Sequence, residues 1–236
     1  MSSSSDFSHS RRVGIIDYGM GNLRSVHNAL SFANQQQERD KAFEIVICTT
    51  AKDIETCERL VVPGQGAMSD CMNQLQQSDM IPALLGAIES KKPTFGVCVG
   101  LQMLLSRSQE VSDNSDSLFV AGLNLIEGDV KRFQQPVGNS TERLKIPHMG
   151  WSRVHFTDPH HPLWTDIEQN SYFYFVHSFY ANPSDLNTVA AHSCYGIDFC
   201  CAIVKGNLFA TQFHPEKSGE AGLTIYRNFL NWAPLN

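Results

Sequence analysis

Short, nearly continuous apolar runs separated by amphipathic stretches dominate the first half of the chain. Residues 13–17, 44–48, 59–62 and 93–97 read as strands without polar alternation, the pattern of strands buried on both faces. Between them, residues 23 to about 32, 67 to about 90 and 99–107 read as helices, the second interrupted by Pro82. Such alternation predicts a parallel sheet covered by helices on both sides. After about residue 118 strand-like segments crowd together, at 125–133, 151–156, 172–176, 188–192, 199–205 and 208–213. Gly206-Asn207 between the last two is a hairpin signal. A final helix is expected over about 219–232. The fold class is therefore α/β: one domain over 12–236, an open, mostly parallel sheet flanked by helices with an added antiparallel portion. Residues 1–11 read as a disordered tail, and the polar stretches 109–117 and 134–142 as exposed loops.

Composition narrows the function classes. With 42% hydrophobic and 18% charged residues over 236 positions, the chain is neither disordered nor fibrous. No apolar run reaches the roughly 18 residues a membrane span needs, and no apolar secretory segment follows Met1, so a cytoplasmic location is expected. Eighteen Lys and Arg against 24 Asp and Glu give a net charge of -6, which disfavours nucleic acid as a partner. The seven cysteines contain no CxxC pair and read mostly as reduced, buried thiols.

One cysteine stands apart. Gly96-Val-Cys98-Val-Gly100 places Cys98 at a strand-to-helix junction, like the tight turn that lifts a nucleophile above a sheet. The glycines leave room for a strained backbone and close strands, and the start of a helix favours thiolate. A buried core cysteine would fit the same pentapeptide equally well. His214-Pro215-Glu216, at the end of another strand, offers a base and an acid to orient it. Taken alone it reads more readily as an exposed turn. Both motifs end strands, where sites collect in open α/β sheets. Gly64 and Gln65, after a third strand, can turn N–H groups toward a developing oxyanion beside the N–H of Val99, although Pro63-Gly64 is also an ordinary turn.

Other patterns carry less. Gly19-Met-Gly21 has Arg24 where a dinucleotide fingerprint needs glycine. His214-x-Glu216 lacks the later cysteines of a zinc deaminase. Cys200-Cys201 and His160-His161 are adjacent pairs whose side chains diverge in a strand, poor for chelation. His27, His155 and His192 give no functional signal.

Gly96-Val-Cys-Val-Gly-Leu-Gln102 together with His214-Pro-Glu216 resembles the class I glutamine amidotransferases, over about residues 13–233. Within that family, Asp17–Asn22, Pro63–Ala67, Pro147-His-Met-Gly-Trp151, Tyr174–Ser178 and Gln212–Ser218 are similar to glutaminase subunits of imidazole glycerol phosphate synthases. The Pro147–Trp151 string is the most specific. Val99 and Leu101 are apolar exchanges against the family pattern, Gln65 stands for valine, and Ser152 for asparagine.

The resemblance implies hydrolysis of L-glutamine by a Cys98–His214–Glu216 triad, with Val99, Gly64 and Gln65 forming the oxyanion hole. Gly66, Gln102, His177, Ser178 and Phe179 are the implied substrate residues, and no metal or cofactor is implied. It further implies a heterodimer with a (β/α)8-barrel cyclase subunit. That partner makes imidazole glycerol phosphate and aminoimidazole carboxamide ribotide in histidine biosynthesis. Ammonia is protonated in neutral water, so transfer inside a complex has a physical motive. Asn22, Trp151 and Lys217 are the candidates for the partner face, although Trp151 reads equally as a core aromatic and Lys217 as a solvated charge. A paralogous glutaminase serving another synthetase, such as one amidating surface sugars, would carry the same triad. A non-catalytic regulatory subunit would have no need of it.

Overall fold

The computed structural model describes residues 11–39, 41–111, 118–135 and 143–234. Residues 1–10 of the expected tail lie outside these, as do 112–117 and 136–142 of the two polar segments. The chain forms β1 (Arg12–Ile16), α1 (Leu23–Gln35), β2 (Glu44–Cys48), α2 (Ala51–Glu55), β3 (Arg59–Gly64), α3 (Met68–Gln77), α4 (Ile81–Glu89), β4 (Thr94–Cys98) and α5 (Val99–Met103). There follow β5 (Leu105–Ser108), β6 (Val120–Ala121), β7 (Ile126–Arg132), β8 (His148–Arg153), β9 (His155–Phe156) and β10 (Tyr172–His177). The last elements are β11 (Phe179–Pro183), β12 (Val189–Cys194), β13 (Asp198–Lys205), β14 (Leu208–Thr211) and α6 (Gly219–Asn231).

The main sheet runs β2-β1-β3-β4-β14-β13-β11-β7-β5-β6, with β12 on β13 and β9 on β12. Every pairing from β2 to β14 is parallel, and β14–β13, β13–β11 and β11–β7 are antiparallel. The expected division into a parallel first half and a later antiparallel part holds except at β5–β7, which is parallel, and with one consequential addition. β14, late in the sequence, joins the parallel half against β4. A turn at Gly206-Asn207 sends it back from β13, with Gly206 at φ +57° as a two-residue hairpin of that kind requires. The buried Asn207 amide then pins the turn to the carbonyls of Ile88 and Lys92 at 2.9 and 2.8 Å.

Burial explains the strand sequences. All of β3 and β4 is buried, as expected for strands with helices on both faces. Phe95 on β4 packs against Phe209, Tyr226 and Phe229, which ties α6 to the sheet centre. α1 buries Val26, Ala29, Leu30 and Ala33, the i, i+3, i+4, i+7 stripe of an amphipathic helix, and packs on α6. Among the described residues no helix is long and apolar enough to cross a membrane.

Several elements differ from the sequence reading, α2 and β6 being short additions it did not contain. The helix expected over 99–107 stops at Met103, because the backbone N–H of Leu123 takes the Met103 carbonyl and β7 draws Leu105–Ser108 into a strand. Pro82 begins α4 rather than breaking a helix, which suits a residue with no N–H to donate. The strand expected over 151–156 starts earlier and divides at Val154, β8 pairing with β10 and β9 with β12. β11, unexpected, follows β10 after the single residue Ser178.

The glycines around Cys98 serve contact as well as conformation. A Cβ on Gly96 would lie 2.8 Å from the Gly100 carbonyl oxygen, and one on Gly64 2.8 Å from the Gly100 nitrogen. A Cβ on Gly100 itself would overlap the Val62 carbonyl oxygen. Gly100→Ala is therefore expected to cost about 3 kcal/mol or more. Gly86→Ala in α4, where a methyl meets nothing within 4 Å, should stabilise by about 0.5–1 kcal/mol. Urea unfolding of both variants measures the contrast.

Candidate active site

Cys98 ends β4 with φ +56° and ψ -108°, outside the ordinary left-handed well, so its backbone is strained. The strain turns the chain sharply into α5 and presents the sulfur at the carboxyl edge of the sheet. α5 has only five residues, so its aligned dipole is smaller than the sequence suggested. β3 lies alongside, with Gly64 opposite Cys98 in register.

β14 supplies the second group. Thr211 pairs with Val97, so the chain beyond β14 emerges beside Cys98. The backbone of His214 is fixed from two sides. Its N–H donates to the Tyr174 carbonyl at 2.9 Å, and its carbonyl accepts the Ser218 hydroxyl at 2.6 Å. The same hydroxyl oxygen accepts the Tyr174 N–H at 3.0 Å. His214 Nδ1 meets Glu216 Oε1 at 2.8 Å, and the Glu216 side chain is only 2% exposed. His214 Nε2 is buried and has no hydrogen-bond partner among the described residues. Burial opposes the charged imidazole, but the neighbouring Cys98 sulfur and the Glu216 carboxylate outweigh it and raise it to about 10. The geometry thus favours an imidazolium beside a sulfur, with one ring proton held by Glu216 and the other available.

A cavity of about 310 Å³ opens over these groups. Cys98 and His214 share its wall with Gln65, Gly66, Val99, Gln102, His177, Ser178, Phe179 and Lys217 from the sequence reading. Gly64 sits behind that wall at the end of β3, and Glu216 behind His214. The Gln65 carbonyl accepts the Cys71 thiol at 3.4 Å, and the Tyr18 hydroxyl donates to the Pro63 carbonyl at 2.6 Å, so the Pro63–Gly66 turn is held at both ends. Trp151, 53% exposed, meets Tyr174 edge to face at 6.0 Å, and Lys217 Nζ lies 6.0 Å from the same ring. These two candidates therefore share a patch beside the cavity mouth. Asn22 caps α1 by accepting the Ser25 N–H at 3.3 Å, at the end of the first βα turn.

Comparison with known proteins decides the family. The sequence profile described as "Glutamine amidotransferase class-I" matches residues 15–232. The chain belongs to this family. It is 44% identical to the imidazole glycerol phosphate synthase subunit HisH of Nitrosospira multiformis, over 94% of this chain and 99% of that one. The corresponding HisH subunit of Methylococcus capsulatus is 45% identical, over 94% and 97%. Among solved structures, the glutaminase domain of Trypanosoma brucei CTPS superposes with a TM-score of 0.60 at 14% identity, covering 96% of both chains. A glutamine amidotransferase of Thermotoga maritima gives 0.55 at 16% identity, over 88% of this chain and 77% of that one. These two show the shared amidotransferase fold.

The amidotransferase site also contains groups the sequence reading did not single out. Among the described residues Glu110 is the one carboxylate on the cavity wall, its Oε2 accepting the Met68 N–H at 2.7 Å. No spacing rule links it to Cys98, because β5 and its turn carry it there. Ser218, the tie between His214 and β10, carried no signal beyond its place in a motif. His148 was read only as part of Pro147–Trp151, yet its Nδ1 meets His177 Nε2 at 3.0 Å and its Nε2 meets the Ser152 hydroxyl at 2.9 Å. His177 Nδ1 in turn reaches the Phe179 carbonyl at 2.7 Å, so both of its nitrogens are engaged and it contributes to the wall by position.

Burial lowers His148 to about 4 and His177 to about 3, so both rings are neutral in the folded protein near pH 7. An unfolded chain protonates them near pH 6.5, and unfolding therefore takes up close to two protons at about pH 5 from this pair. Stability conferred by the neutral pair is complete above about pH 6.5 and is lost as pH falls toward 4. The slope is up to about 1.4 kcal/mol per pH unit for each ring. Urea midpoints at pH 7 and pH 5 should show this fall, and His148→Gln should remove about half of the pair's share.

Proposed function

We propose that this chain hydrolyses the side-chain amide of L-glutamine and passes the ammonia to a cyclase subunit of imidazole glycerol phosphate synthase, in the cytoplasm. The observation that carries the chemistry is His214, held by Glu216 through Nδ1 and left with a buried, unpartnered Nε2 beside Cys98. The pathway assignment is supported by 44% identity along almost the whole length to a HisH subunit.

The geometry supports the following steps. The Cys98 thiolate attacks the carboxamide carbon, and the carbonyl oxygen becomes an oxyanion facing the N–H groups of Val99 and of the Gly64–Gln65 peptide. His214 gives its Nε2 proton to the departing nitrogen, releasing ammonia and leaving a thioester on Cys98. The neutral imidazole then takes a proton from water, whose oxygen attacks the thioester carbon and releases glutamate. Glu216 keeps the ring oriented and compensates its positive charge.

Recognition of the amino-acid end is assigned to the far wall. Glu110 is the group to receive the α-ammonium. Both Gln102 amide hydrogens are engaged, by the Phe179 carbonyl and by Gln212, which leaves Gln102 Oε1 as an acceptor for the substrate. Gly66 and the 177–179 segment complete the wall.

A partner face follows from the β8–β10 ribbon. Its inner side buries Phe173, Phe175, His148 and His177, while Met149, Trp151 and Tyr172 stand out at 61%, 53% and 51% exposure. An apolar patch of this kind around a cavity mouth suits an interface that keeps ammonia from solvent. Trp151 and Lys217 are the proposed contacts, with Asn22, the N-cap of α1, as the third.

Cys98→Ala is expected to lower glutamate release by at least about 10³-fold in the complex while leaving subunit affinity unchanged. Glutamate release and titration of the partner check both halves. Met149→Asp is expected to weaken partner binding about tenfold or more with an unaltered thermal midpoint. Growth of a histidine-requiring deletion strain on this chain tests the pathway; failure to grow with active protein present points to a different synthetase.

A further inference from the structure

Gln212 lies between β14 and His214, and the triad makes no use of it. It is fully buried, and its backbone N–H is held by the Cys201 carbonyl at 2.8 Å. Its side-chain orientation is set from a distance by a carbonyl that can only accept. The Phe179 oxygen receives Gln102 Nε2 at 3.2 Å, which identifies that end of Gln102 as the amide nitrogen. The same nitrogen lies 3.1 Å from Gln212, so the Gln212 atom facing it is the oxygen. Gln212 Nε2 is then turned to the Cys98 sulfur at 3.8 Å, within hydrogen-bond range of sulfur. Reversing the amide would set oxygen against a thiolate and break the contact with Gln102.

The Phe179 oxygen orders the other branch as well. His177 Nδ1 must donate to it, so His177 Nε2 accepts from His148 Nδ1, and His148 Nε2 accepts the Ser152 hydroxyl. Donation thus runs from Ser152 through His148 and His177 to the Phe179 oxygen, and from Gln102 through Gln212 to the Cys98 sulfur, in directions that leave no free choice of tautomer or amide flip.

We propose that Gln212 is a positioning residue for Cys98, its side-chain N–H a fixed donor to the sulfur, held in that orientation by Gln102. An amide N–H is too weak an acid to protonate a thiolate, so it steadies the charge without quenching the nucleophile. That matters when the thioester is hydrolysed and the sulfur regains its charge, because His214 must at that moment manage the proton of water. Gln102 lines the cavity, so a ligand bound there and the sulfur share one chain of hydrogen bonds. The proposal rests on Cys98 being the nucleophile of the glutaminase reading.

The test uses the full chain with its cyclase partner for turnover. Iodoacetamide alkylation from pH 5 to 10 is read at the Cys98 peptide by mass spectrometry. Gln212→Met keeps the volume and removes the donor. It is expected to move the alkylation midpoint upward by about one pH unit and lower kcat about tenfold, with KM for glutamine changed less than about threefold. Gln102→Met, which keeps Gln212 but frees its amide to turn, should move the midpoint in the same direction by less. A wild-type midpoint in whichever of these variants is folded, judged by its thermal transition, overturns the proposal. Failure of the glutaminase reading shows differently: the wild-type complex releases no glutamate, while the alkylation midpoint still reports the N–H to sulfur contact.

Discussion

The parallel pairing of β14 with β4 is the constraint on which the site depends. Cys98 and His214 are separated by more than a hundred residues, and the antiparallel portion of the sheet is formed largely by the chain between them. Only because β14 turns back from β13 and inserts beside β4 does the imidazole arrive at the strained end of that strand. The hairpin turn, the Asn207 anchor and the packing of Phe209 on Phe95 fix the register, and the register fixes the chemistry. A slip of one residue would present Phe213 where His214 now stands.

Around that pairing the interior is polar to an unusual depth for a sheet edge. Gln102, Gln212, His148, His177, His214 and Ser218 are all buried, and each has hydrogen bonds that determine its orientation. Burying such groups is costly unless they are satisfied, and once satisfied they specify one arrangement. His214 Nε2 and Glu216 Oε2 are the exceptions within this cluster, buried without a partner among the described residues. In the proposed mechanism the first is the atom that exchanges protons. The second belongs to a carboxylate close to Tyr226, whose hydroxyl burial and that carboxylate keep protonated.

Much of this was legible before any coordinates. The strand-to-helix junction at Cys98 and the His214-x-Glu216 spacing are local patterns, and each lies in one short segment. Their meeting was not legible, since strand order is decided by long-range pairing that no window of residues displays. The same reason hid β5, where a helix-like run was captured by β7, and Glu110, carried to the cavity by that strand. Gln212 and His148 were visible only as letters in motifs, because a side-chain amide or imidazole shows its role through partners far away in sequence. Ser152 entered as a departure from a family pattern; its hydroxyl caps the outer nitrogen of His148.

The β10 strand is shared by two tasks through its alternation. Residues 173, 175 and 177 fill the core, residues 172, 174 and 176 face outward, and the Tyr174 main chain holds His214 in place. Inserting a single amino acid within this strand would exchange its two faces, driving phenylalanine rings into water and phenol groups into the core. It would also unseat the imidazole from its backbone hook. Drift in length is therefore closed to this segment even where drift in side chain is open.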